Sequence, residues 1–79
     1  MFMTWIHFNW KQFSDFCFTA RKGGIVLFVI RSAAGWSWYA QAGPERRLAQ
    51  SLIPAQGRRA AQHKAEQWYR QEQKKQFEV

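Results

Sequence analysis

Acidic side chains are scarce in this chain: five Asp and Glu stand against twelve Lys and Arg in 79 residues. The acids are Asp15, Glu45, Glu66, Glu72 and Glu78. Paired-carboxylate catalysis needs two acids held in different environments, and no spacing here implies such a pair. Cysteine is scarcer still. A lone Cys17 excludes an internal disulfide and suits a reducing compartment. Together with His7 and His63 it does not make zinc-site spacing. Neither histidine stands in a spacing that would activate the thiol, so Cys17 reads as a small strand residue. Long apolar runs are also missing. The longest, Ile25 to Ile30, falls far short of the roughly 20 residues that cross a bilayer. Met1-Phe2-Met3-Thr4-Trp5 lacks the basic segment and long apolar stretch of a signal peptide. These absences lead to an expectation of a cytoplasmic protein that is not an enzyme, uses no metal or other cofactor and has no membrane partner.

What is abundant is positive charge and aromatic surface. The net charge is +7, and the chain holds seven Phe, five Trp and two Tyr. Excess cations attract phosphate backbones and acidic protein surfaces. Rings fill a core, stack on bases or anchor an interface. A chain of this length makes one domain, 1–79, with room for one core, since small domains bury only about 60–65% of their unfolded surface.

The first half alternates. In Thr4 to Trp10, Ile6, Phe8 and Trp10 fall on one face, which is strand spacing. A helix is the rival, because Ile6, Trp10, Phe13 and Cys17 recur at four, three and four. Phe16 to Arg21 alternates more cleanly, and Lys22-Gly23-Gly24 turns the chain. Ile25 to Arg31 is the strongest strand pattern, and its near-continuous apolar character predicts cover on both faces. Ser32-Ala33-Ala34-Gly35 makes the next turn. Trp36 to Gln41 follows, with Trp36, Trp38 and Ala40 on one face and Ser37, Tyr39 and Gln41 on the other.

Gly43-Pro44 ends the predicted sheet. Glu45 to Ile53 reads as a connection with a short helical turn at most. Pro54 suits a helix start, Gly57 delays the regular part, and the Ala, Gln, Arg, Lys and Glu that follow are strong helix formers. Ala61, Ala65 and Trp68 form an i, i+4, i+7 stripe with Ala60 and Tyr69 beside it, small enough for close approach to a sheet. That stripe predicts that the Trp36 and Trp38 face receives the helix rather than a base. Arg59, His63, Arg70 and Lys74 line the opposite side. The fold class is therefore α+β: a small antiparallel sheet of three to four strands within 4–41, a connection over 42–54, and one long helix over 55–76 packed on the sheet.

The candidate contact residues are the cations. Arg46-Arg47 and Arg58-Arg59 have little neighbouring acid, and the second pair opposes the helix dipole. Arg70 and Lys74 extend them along the helix, and Arg21-Lys22 adds a basic hairpin tip that can approach a phosphate. The function they imply is non-enzymatic binding. Its partner is an acidic surface of a protein or ribonucleoprotein complex, or DNA or RNA directly.

The order of elements, with Gly24, Gly35-Trp36-Ser37-Trp38 and then Ala61, Ala65-Glu66 and Trp68, resembles small phage and mobile-element proteins of the anti-CRISPR type. The resemblance spans Gly23 to Tyr69 and is one of type, without a shared motif or a residue to carry over. It implies a phage-encoded inhibitor that blocks a bacterial nucleic-acid-handling defence complex in the host cytoplasm. The +7 charge argues strongly against the acidic, DNA-imitating mode. A stand-alone nucleic-acid-binding protein, or a small structural subunit acting as an oligomer, are the alternatives.

Overall fold

The computed structural model describes residues 7–77 of the chain. Five antiparallel strands run in sequence order across one sheet: β1 (Lys11–Ser14), β2 (Cys17–Lys22), β3 (Ile25–Ser32), β4 (Gly35–Gln41) and β5 (Arg47–Gln50). A single helix, α1 (Arg58–Phe77), follows and lies across β3 and β4. The architecture is α+β, with one strand more than the three to four predicted.

Turn chemistry sets the central register. Gly23 and Gly24 both take positive φ, 55° and 79°, as the tight I′ hairpin demands. That turn pairs Lys22 with Ile25 and carries the register through to Cys17 opposite Ile30. Ala33-Ala34 closes the next hairpin and fixes Phe28 opposite Tyr39. Gly35 has φ 133°, and a Cβ there would meet the Ala55 carbonyl oxygen at 2.6 Å. The close approach lets Trp36 and Ala55 exchange backbone hydrogen bonds of 2.8 and 2.7 Å.

The structure corrects the sequence reading in four places. Residues 7–10 are neither strand nor helix, and 4–6 lie outside the described residues. The first strand is instead Lys11–Ser14, a short edge with a bulge between Gln12 and Ser14. Within the expected connection, Arg47–Gln50 is a strand and not a helical turn. It pairs with β4 through Tyr39 opposite Gln50 and Ala40 opposite Ala49, satisfying backbone groups that the edge of β4 would otherwise leave unpaired. The helix begins at Arg58 and not at 55, because Ala55 is bound to Trp36; Gly57 then caps it, accepting the Ala61 N–H at 3.2 Å. Finally, β3 is covered by the helix on one face only.

The core lies on that face. Ala61 and Ala65 are fully buried and let the helix settle on Leu27, Val29 and Ala40, which are also fully buried. Trp38 and Trp10 pack against both halves of this core, and Trp36 closes the end near Phe18 and Ala61. The Trp38 and Trp68 rings meet at 6.2 Å. Tyr69 is buried beside them and Ala60 is exposed, so the helix is rotated slightly toward Tyr69. The predicted packing of the Trp36 and Trp38 face under the alanine stripe is present.

Candidate functional site

The eight candidate cations occupy different parts of the surface. Arg58 begins the helix half-buried, its guanidinium 4.6 Å from the Phe18 ring centre. With the exposed Arg59 it lines an open depression of ≈ 390 Å³ that also reaches Trp10 and Glu66. Arg70 lies 3.7 Å from Glu66 and 5.4 Å from the Phe8 ring centre. Lys22 approaches the same ring at 5.8 Å. Glu66 also accepts the Trp10 indole N–H at 2.7 Å. Lys22, Arg58 and Arg70 therefore face rings of the core rim, and Arg70 also lies beside a carboxylate. Lys74 is exposed toward the end of the helix. Arg46 is exposed on the β4–β5 connection, beside Trp68 and Glu72.

Arg21 and Arg47 belong elsewhere. Strand alternation puts Arg21 on the face of the sheet away from the helix, with Cys17 and Thr19, because Phe18 and Ala20 are buried on the other. Arg47 lies with its guanidinium 4.2 Å over the Tyr39 ring. It also donates to Gln50 Oε1 at 2.9 Å. Tyr39 in turn stacks on Phe28, with ring centres 4.5 Å apart and planes 11° from parallel. Arg47, Tyr39 and Phe28 thus make a three-layer stack across β5, β4 and β3.

The register continues this row. Phe28 stands opposite Thr19, and Thr19 opposite Lys11. Lys11, Thr19 and Arg21 line a depression of ≈ 230 Å³; Arg21 and Phe28 share a second of ≈ 420 Å³. The five strands contain Lys11, Arg21, Lys22, Arg31 and Arg47 but no Asp or Glu. The outer face therefore carries cations and rings with no carboxylate of its own strands to neutralise them.

Lys11, Phe28 and Tyr39 were not among the predicted contact residues. A signal for the two rings exists in the sequence. A turn centred on Ala33-Ala34 pairs Phe28 with Tyr39, and Tyr39 has the parity opposite to Trp36 and Trp38 in the same strand.

Cys17 shares the outer face, half-buried, and burial raises its thiol pKa above the ordinary value. It stays protonated at neutral pH, which suits packing better than nucleophilic attack. Among the described residues, no group of three or more His, Cys, Asp and Glu is placed to hold a metal ion. No helix among them is long and apolar enough to cross a membrane. Comparison with protein families, with curated proteins and with solved structures found no match to this chain.

Proposed function

We propose that this protein is a non-enzymatic nucleic-acid-binding domain and that the outer face of its sheet is the contact surface. The observation that carries the reading is an outer face with no acid in its strands, on which an Arg47–Tyr39–Phe28 stack runs toward Lys11 and Arg21. Phosphates require cations that are not already neutralised, and bases reward exposed rings. The helix-side arginines serve less well, since Glu66 lies 3.7 Å from Arg70 and lines the same depression as Arg58 and Arg59. An inhibitor of a bacterial defence complex, as the anti-CRISPR resemblance implies, would bring this same face to the nucleic acid that its target holds.

The test is a titration of labelled DNA at two salt concentrations. Three cations on the face predict a slope of log affinity against log salt of about −2, at roughly −0.7 per phosphate on a single strand. Arg21→Glu with Arg47→Glu is expected to weaken binding at least about tenfold more than Arg58→Glu with Arg59→Glu, although both pairs change the net charge equally. Equal losses, or a larger loss from the helix pair, would move the contact to the helix side. No binding to DNA or RNA at low salt overturns the proposal and leaves an acidic protein surface as the partner class.

A further inference from the structure

The outer face has a direction. Its stack starts with the Arg47 guanidinium, passes through Tyr39 and ends at Phe28. The next position across the sheet is Thr19, which is short, and the one after is Lys11. The side of the Phe28 ring away from Tyr39 therefore looks over Thr19 toward Lys11, with Arg21 two residues along the same strand as Thr19. Each layer already in place is flat: a guanidinium on a phenol ring, the phenol on a phenyl ring at 4.5 Å. A fourth flat group on Phe28 would extend the series and would lie between two ammonium or guanidinium groups.

We infer that the ligand of this face is a single strand, with one unpaired base stacked on Phe28 above Thr19 and its flanking phosphates held by Lys11 and Arg21. The inference rests on the nucleic-acid reading above and narrows it. A duplex keeps its base faces stacked on one another and offers only edges in its grooves, so a ring-faced site selects unpaired bases. A second copy of this chain would set Lys11, Arg21 and Arg47 against like charges. An apolar protein partner would have to desolvate the same three cations without an acid to receive them.

The measurement is fluorescence anisotropy on the intact chain with four probes. They are an oligothymidine of about 12 nucleotides, within the reach of one small sheet domain, an abasic phosphodiester of the same length, a duplex of the same length, and thymidine monophosphate as competitor. Base stacking predicts that the oligothymidine binds about tenfold or more tightly than the abasic strand, and more tightly than the duplex. Phe28→Leu should bring the oligothymidine down to the abasic level while abasic binding stays unchanged, which also reports that the variant is folded. Equal binding of base-bearing and abasic strands by the parent chain, or of duplex and single strand, overturns the inference and leaves the nucleic-acid reading standing on charge alone. Competition by the monophosphate at the strand's own affinity overturns the strand in favour of a nucleotide site. Failure of every probe, and of an oligouridine of the same length, to bind at low salt overturns both readings. The parent-chain comparison needs no variant, so it holds even if Phe28→Leu does not fold.

Discussion

Trp38 and Tyr39 are neighbours in β4 and meet different worlds. Trp38 packs under the helix against both halves of the core, while Tyr39 stacks between Phe28 and Arg47 on the open face. The same contrast runs along β3, where Leu27 and Val29 are fully buried and Val26, Phe28 and Ile30 are half-covered. One face alternates large and small residues so that a helix can close on it, with Ala20 and Ala40 on either side of Leu27 and Phe18 and Trp38 on either side of Val29. The other keeps apolar bulk but adds Lys11, Arg21 and Arg47, and nothing in the described residues covers it. Folding selects the first face, since burial is the dominant stabilising effect. The second face exposes rings whose burial would add stability, and it surrounds them with charge. Such a conflict between local chemistry and stability is where a binding role is expected.

The comparison breaks if the two faces respond alike to truncation. Leu27→Ala removes a fully buried side chain from the centre of the core and should cost about 2–5 kcal/mol, a large share of the stability of so small a domain. Its sequence neighbour tests the other face. Phe28→Leu should lower the urea midpoint by clearly less, because only part of the ring is out of solvent. An equal or larger loss from Phe28 would make the outer face structural.

Next in size is Ala65→Leu. Ala65 is fully buried among Leu27, Ala40 and Tyr69, so added carbons must push the helix off the sheet. Overpacking of this kind costs about 1–3 kcal/mol. An unchanged thermal midpoint would mean that the helix lies farther from β3 and β4 than its alanines indicate.

The parts of this fold that can be read from sequence are those that carry their own signal. β2, β3 and β4 alternate, are separated by Gly23-Gly24 and Ala33-Ala34, and fall within about two residues of the expected bounds. The alanine stripe named the buried side of the helix. Lys11–Ser14 and Arg47–Gln50 have no β-branched residue between them; they are strands because β2 and β4 supply partners, a tertiary cause that a local pattern does not contain. The site was legible in halves. Charge excess picked out Arg21 and Arg47 along with six cations that lie elsewhere. It passed over Lys11, whose place in the sheet depends on a strand that pairing alone creates. The apolar run of β3 suggested cover on both faces, which concealed Phe28 as an outer-face ring.

The smallest expected effect uses Cys17 as a reporter within the outer face. It stands two residues from Thr19 in β2 and opposite Ile30, and burial raises its thiol pKa. The thiolate is the reactive form, so alkylation by iodoacetamide should be slow at neutral pH. It should rise toward its half-maximal rate only above the ordinary cysteine pKa. The sign follows from burial disfavouring the charged form: the folded protein prefers the protonated thiol, and the small stability from this preference is present below the unfolded pKa and fades as pH rises through the folded one. A strand lying across Thr19 should shade the thiol and slow its alkylation severalfold at fixed alkaline pH, while an abasic strand held only by charge should slow it less. The control is the helix side. Arg58→Glu with Arg59→Glu should leave the protection intact, whereas Arg21→Glu with Arg47→Glu should abolish it. Protection that survives the outer-face pair and disappears with the helix pair would reverse the assignment of the two faces. Cys17 has the advantage of reporting position directly, because it is the sole thiol in the chain and lies on the face in question.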